Sequence, residues 1–549
     1  MILVFYCILN CEPSIYRWPG SVFCSNPNRK SKTIITQTSP TKYITQQLLY
    51  FIDQMETHPT EMNQGENDYE KDLKHLTSTI AGKISEGAEK AEYFFSSACI
   101  FRVPEDLRKL NERAYTPRLI AIGPLHREDK HLQTPLQHVK PSYTNCLLSR
   151  LAVGMEDREL AVQTILMVLQ KCLAEMKTSI DNAKKCYAEE VMLNEEMMLV
   201  DGCFILEFLY RCRTQEQVQE RDPIFCNSFT FCKVQKDLVL LENQIPFFVL
   251  EKLFRLIVDH IPNRIDNNWS LPDYLGWCYN EWMSPLPNSD NSSSSSAKTW
   301  YCSPRDCVLR VFRCTTAAEK EEVQSGNTID HHRSTAKYSH ILHNLHEGCL
   351  PHDQTKQKNF SFREMPPASE LVYAGIKFVP DAGNDLFKFK FSEPKGLFWW
   401  CRRACFEIPP LLICDETESY LRNLIALEQC CPGVSWHVSS YADIMDMLVK
   451  SDNDIQVLEK AGVLTNCLGP TGDATNLFNK LCKEIMVGQY FRDTCSKATE
   501  YSKRFWPKNM AHVRRTYFDS PWTFIAFFVG FIAFVITLVG FARSFGKKC

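Results

Sequence analysis

Four groups of residues have types and spacing that could do chemistry. Asp201 and Glu207 lie in the apolar run EEMMLVDGCFILEFLYR. Two carboxylates can form a general acid/base pair, but six residues apart on a helix they face different ways. A buried carboxylate needs a partner, so a structural ion pair or cap is the favoured reading over catalysis. Glu242, Asn243 and Gln244 precede Pro246 at a helix break, where a buried polar network could hold the junction. Arg422 and Glu428, also six apart, are candidates for the same network, and a Glu242–Arg422 link is physically sensible. His340, His343 and His346 recur every third residue, followed by Cys349 and His352, which invites zinc. That series walks round a helix by about 60° per step, so the imidazoles converge poorly on one ion. Packing and surface histidines are favoured. Lys395, Arg402 and Arg403 stand beside Trp399 and Trp400. They suit an anionic ligand or, as the favoured alternative, arginines stacked on rings.

No phosphate-binding glycine loop, dinucleotide fingerprint, zinc-protease helix or nucleophile elbow occurs. The expectation is that no residue is catalytic, binds a cofactor or ligates a metal, and that the protein is not an enzyme. The alternative is an unrecognised membrane-anchored hydrolase or transferase. A deep pocket with convergent polar groups would favour that alternative, and a flat apolar patch would favour protein recognition.

The elements that position these residues read mainly as helices. Pro104 with Glu105 and Asp106 suits a helix start, and 114–124 reads as extended with turns at Thr116-Pro117 and Gly123-Pro124. Residues 158–187 carry a core stripe of Ile165, Val168, Leu169, Cys172, Leu173 and Met176. Pro246 starts a helix with Leu250, Leu253, Phe254, Ile257 and Ile261 on one face. Phe387, Phe389 and Phe391 alternate with lysines, the pattern of a half-buried strand, and Phe406 to Cys414 reads as an irregular edge strand. Helices follow over 437–508, one of them started by Asp452 and Asp454. The fold class expected is mainly α with a small β-sheet element (α+β).

The 549 residues hold 62 Lys+Arg against 65 Asp+Glu. That near-balance argues against a general nucleic-acid binder. The 25 cysteines are odd in number and irregularly spaced, so most read as buried thiols. Residues 1–95 are polar and mixed, the pattern of a variable, largely disordered extension with a helix over 69–93. Residues 96–518 form the main domain, interrupted by a serine-rich loop at 285–299. Residues 519–549 form the end piece. In it, Trp522 to Ala542, centred near Phe531, is uncharged, and thirteen of its positions are Phe, Ile, Val or Leu. Such positions contribute about −0.3 to −0.6 kcal/mol each to insertion, so a single C-terminal transmembrane helix is expected. With no convincing signal peptide, the chain would be tail-anchored, with its bulk cytosolic and the plasma membrane a possible site. Asn268, Asn291 and Asn359 lie in glycosylation sequons that test this.

The motifs also carry a family resemblance. Val103, Pro104, Leu107, Arg108, Asn111, Ala114, Tyr115, Pro117, Ile122, Gly123, Pro124 and His126 follow the opening pattern of the plant "domain of unknown function 247" family, and the block continues to Lys140, Tyr143 and Leu147. Met197 to Glu207, the Leu-Glu-Asn-Gln-Ile-Pro-Phe stretch at 241–247, 368–380, 419–430 and Arg514 to Trp522 resemble its later blocks. Leu125 replaces a usual aromatic, and Gln137 replaces an acid before the lysine. The resemblance covers roughly 99–545. It implies a mostly helical, membrane-associated plant protein without established enzymatic activity; some members are implicated in pollen–stigma self-incompatibility. The partners expected are membrane lipid and a protein, with no cofactor and no nucleic acid.

Overall fold

Helix Glu195–Thr214 has almost no solvent face: Met198, Cys203, Phe204, Phe208 and Leu209 are all buried along it. A helix that is apolar all round must be enclosed by others, and four helices pack on it: Val139–Ser149, Arg158–Lys184, Phe247–Leu256 and Leu271–Asn280. Gly202 permits the closest of these approaches. A Cβ there would overlap the buried Leu253 side chain, with Ile245 and Leu250 each 3.8 Å away.

The computed structural model describes residues 68–95, 97–214, 222–264, 267–280, 338–351, 364–381, 389–395, 402–517 and 521–546. The extension up to residue 67, the loop at 285–299, Phe387, Trp399, Trp400 and His352 lie outside them. The chain divides into two units, Met1–Lys90 and Ala91–Cys549. Helix Asp68–Phe95 begins in the first, and its Leu73, Leu76, Ile80 and Ile84 are exposed.

The second unit holds the remaining elements. Asp157 caps helix Arg158–Lys184 by accepting from the Glu159 and Leu160 amides, the usual way of satisfying orphan donors. Its expected core stripe is divided: Cys172 and Met176 are fully buried, while Leu173 is exposed together with Leu160, Val162, Leu166 and Met167. Pro246 precedes helix Phe247–Leu256, in which Leu250, Leu253 and Phe254 are buried. A second helical cluster surrounds Asp415–Cys430, against which Ile341–Cys349, His437–Leu448 and Thr471–Leu481 pack.

The strands differ from the sequence expectation. Strands β1 (Ile376–Pro380), β2 (Lys390–Ser392) and β3 (Ala404–Ile408) form a sheet of order β1-β3-β2, parallel between β1 and β3 and antiparallel between β2 and β3. β3 is therefore central, and Phe406 packs between Phe378 and Phe391. The single edge strand expected over 406–414 is two strands. β4 (Leu411–Ile413) belongs to another sheet, parallel to β5 (Leu464–Asn466). Pro409 and Pro410 separate them, because neither can donate to a ladder.

The C-terminal segment Pro521–Gly546 is helical. Its described side chains, Trp522 and residues 525–540, are exposed. Among the described residues no helix is long and apolar enough to cross a membrane, which corrects the expected single transmembrane helix from Trp522 through Phe531 to Ala542.

Gly202→Val should overpack the contact with Leu253 and cost about 2 kcal/mol or more. Urea unfolding followed by circular dichroism measures this. An unchanged midpoint would mean that the two helices are not closely apposed.

Candidate functional site

After helix Ser228–Asp237 the chain crosses the interior without regular structure as far as Pro246. Buried backbone groups there must find partners, and the side chains of the same stretch supply them. The Gln244 amide donates to the carbonyls of Leu238 (2.9 Å) and Leu240 (2.8 Å). The Asn243 amide donates to Ile120 and Asp237 carbonyls at 3.0 and 2.8 Å. The Leu241 amide donates to Asn423 Oδ1 at 2.9 Å.

Opposite this crossing runs residues 118–123, the segment expected to be extended. Its amides donate to side chains and not to a strand. Arg118, Leu119 and Ile120 donate to the Asp237 carboxylate at 2.8, 2.7 and 3.0 Å. Ile122 donates to Asn243 Oδ1 at 2.7 Å, and Gly123 to Asp201 Oδ2 at 2.8 Å. Lys140 closes this end, its ammonium reaching both Asp201 Oδ1 and the Ala121 carbonyl at 2.6 Å. Gly123 has φ +70°, and a Cβ there would lie 2.6 Å from the Gln244 carbonyl oxygen. Only glycine accepts both conditions. Burial pushes the Asp237 carboxyl up to about 6, and its three amide donors pull it back.

Glu242 is also buried. It accepts from the Val103 amide at 2.5 Å and from Arg108, and its Oε2 lies 2.9 Å from His126 Nε2. His126 Nδ1 in turn meets Asp129 at 2.8 Å. Burial raises the Glu242 carboxyl, but the His126, Val103 and Arg108 donors outweigh it and hold the group below its ordinary value.

Two further carboxylates are saturated in the same way. Glu207 receives Arg150 through two nitrogens, at 2.8 and 2.9 Å, and Arg211 at 2.7 Å. Arg211 also joins Asp222, which accepts from the Tyr143 hydroxyl at 3.0 Å. Glu428 accepts from the Val438 and Ser439 amides, both at 2.7 Å, from Ser439 Oγ at 2.5 Å, and meets His346 Nε2 at 2.8 Å. It thereby caps helix His437–Leu448 from outside.

The four residues singled out as one polar network thus occupy three places. Glu242 and Asn243 hold the opening segment. Glu428 joins two helices to the one that carries it. Arg422 bonds Glu418 Oε1 at 2.8 Å, and its neighbour Asn423 is the residue that reaches Leu241. Asp201 and Glu207 do face apart, toward Lys140 and the arginines respectively. Gln137, standing where an acid was expected, donates to the Leu132 carbonyl at 2.9 Å. His340 accepts from the His343 amide as a helix cap and its Nε2 contacts the Cys99 carbonyl at 3.0 Å. Among the described residues no group of three or more His, Cys, Asp or Glu could hold a metal ion. Sequence reasoning missed Asp237 and Asn423. The signals were a charge inside the otherwise apolar run to Leu241, and an amide within an apolar helix.

Chemically, these groups clamp. Ser439 donates to Glu428 and not to His346, while Ser339 Oγ lies 3.2 Å from His343 Nδ1 and Ser435 Oγ 3.1 Å from His437 Nδ1.

The profile of DUF247, a plant protein of unknown function, matches residues 100–536. The UPF0481 protein At3g47200 of Arabidopsis thaliana is 26% identical over 467 residues, covering 82% of this chain and 87% of that protein. The putative UPF0481 protein At3g02645 of Arabidopsis thaliana is 21% identical over 497 residues, covering 78% and 86%. No solved structure matches.

Glu242→Gln should cost about 3–5 kcal/mol, because it leaves buried cations without their carboxylate, and charge reversal at Arg422 should not rescue it. Chemical unfolding of single and double variants tests both statements. His340 supplies a pH signature. Burial, then the neighbouring His343, pushes its imidazole down to about 3. The unfolded chain takes up that proton near pH 6.5 and the folded one does not, so stability is lost as pH falls below 6.5. Between pH 7 and 4.5 the loss should be smaller in His340→Gln by about 2–3 kcal/mol, read from melting curves across that range.

Proposed function

We propose that this protein, which belongs to the DUF247 family of plant proteins, acts by recognising another protein and carries out no catalysis. The observation that carries this reading is how its buried carboxylates are used. Asp201, Glu207, Asp237, Glu242 and Glu428 are each engaged by amides, cations or imidazoles that join segments of the fold. A catalytic acid or base keeps one side free for substrate, whereas Asp201, Glu207, Asp237 and Glu428 spend both oxygens on partners within the fold, and Glu242 Oε2 faces His126 Nε2 at 2.9 Å.

Recognition needs an outward surface, and helix Arg158–Lys184 supplies one. Leu166 is 55% exposed and Met167 51%, with Leu160 and Val162 alongside and Val153 and Met155 just before the helix. Contiguous exposed apolar residues on a soluble face mark interaction sites. The chain's bulk is placed in the cytosol, where unmodified Asn268, Asn291 and Asn359 are expected; a glycosidase mobility shift would overturn that placement.

A photo-crosslinker at Leu166 in the full chain, expressed in plant cells, should capture a defined protein. Leu166→Asp with Met167→Asp should weaken binding of that protein at least tenfold while the circular dichroism spectrum and melting temperature stay put. Undiminished binding by a folded double variant would refute the assignment of this face. Turnover of a small substrate abolished by a substitution at one of the five carboxylates, with the fold retained, would refute the non-catalytic reading.

A further inference from the structure

Three cysteines meet where the second unit begins. The Cys99 amide donates to the Cys186 carbonyl at 2.8 Å, the Ile100 amide to the same oxygen at 2.9 Å, and the Ala188 amide back to the Ile100 carbonyl at 3.1 Å. Ile100 and Tyr187 form a parallel bridge. Cys99 thus lies against Cys186 through direct backbone contact. Paired segments lie about 4.8 Å apart, inside the roughly 4.4–6.8 Å Cα separation that a disulfide requires. The Cys186 thiol donates to the Asn182 carbonyl at 3.4 Å, and both are only partly buried free cysteines. The third, Cys431, is buried, and its thiol donates to the Cys99 carbonyl at 3.4 Å. It is turned toward backbone and not toward the Cys99 sulfur.

We propose that Cys99 and Cys186 are a redox modification site: a dithiol that a small peroxide converts to a disulfide, tying the first residues of this unit to the end of helix Arg158–Lys184. The order of attack follows from the surroundings of the two thiols. Interaction with Cys186, then burial, raises the Cys99 thiol, and interaction with Cys99 holds Cys186 below its ordinary value. The thiolate is the nucleophile, so Cys186 reacts first. Its sulfur attacks one peroxide oxygen, the O–O bond breaks, and the departing hydroxide takes a proton, leaving a sulfenic acid and water. The Cys99 sulfur then attacks the sulfenic sulfur. The S–O bond breaks as the S–S bond forms, and the Cys99 proton leaves with the hydroxyl as a second water. Each sulfur is oxidised by one electron and the peroxide is reduced by two.

What the bond would fasten is specific. Residues 97–101 lead straight into Arg102 and Val103, the latter donating its amide to Glu242. Oxidation would fix that lead-in against Cys186, and reduction would leave it to backbone hydrogen bonds.

The test uses the full-length reduced protein and hydrogen peroxide near stoichiometry. Free thiols are then alkylated and the protein is mapped without reductant. The expected result is one linked peptide pair holding Cys99 and Cys186, two hydrogens lighter, with a higher melting temperature that dithiothreitol reverses. The link should be absent in Cys186→Ser and retained in Cys431→Ser. A Cys99–Cys431 link would overturn the proposal. So would Cys186 accumulating as sulfinic acid with Cys99 still alkylated, or both cysteines remaining alkylated while other thiols oxidise.

Discussion

Residues 118–123 lie against the interior with their amides pointing at no strand. Arg118, Leu119, Ile120, Ile122 and Gly123 each donate instead to Asp237, Asn243 or Asp201. Buried donors left unpaired would cost roughly 1–3 kcal/mol apiece, together comparable to a whole domain's stability of about 5–15 kcal/mol. The rest of the architecture serves this pairing. Asp201 must come from the fully enclosed helix, with Lys140 beside it to balance its charge. Asp237 and Asn243 must stand at the two ends of an irregular crossing, which is itself supported by Gln244. Glycine is required at 123 because the two segments approach there to within a carbonyl's reach.

This explains a feature that could be mistaken for an active site. Acids, histidines and arginines are concentrated in the interior, and two histidines contact carboxylates. Yet the groups satisfy one another. Glu242 faces Val103, Arg108 and His126 together, and Glu428 spends both oxygens on the start of a neighbouring helix. Polar interiors of this kind specify one packing among many that an apolar core would tolerate, which suits a protein whose work is to present a fixed outer surface.

The helices were legible because their signals are local. Pro246 and the apolar periodicity of 247–257 need nothing beyond neighbouring residues. The three parts of the polar network were not legible, because type and spacing identify a residue that wants a partner without identifying the partner. Glu242 was singled out correctly as a buried acid, but its side-chain partners, Arg108 and His126, come from more than a hundred residues earlier. Arg422 looked equally suitable and turned to Glu418, one helical turn away. The strands failed for a related reason. Phe406 to Cys414 is apolar apart from Glu407, and only the tertiary environment decides that its halves belong to different sheets. At the C-terminus, hydropathy alone suggested a span. The helix is there, but among the described residues none is long and apolar enough to cross a membrane.

The distance in sequence between the paired groups has a consequence for how the chain is made. Val103 waits for Glu242, 139 residues later, and the Ala114 carbonyl waits for the Asn423 amide, 309 residues later. At roughly 5–20 residues per second of synthesis, the opening segment leaves the ribosome some 15–60 seconds before Asn423 exists. Its amides are open to water or to any competing strand edge until Asp201, Asp237, Glu242 and Asn243 have been made, and the Ala114 carbonyl for the whole interval. Folding of this unit cannot be completed from its N-terminal half, and a nascent chain stalled before residue 423 would be a ready client for chaperones.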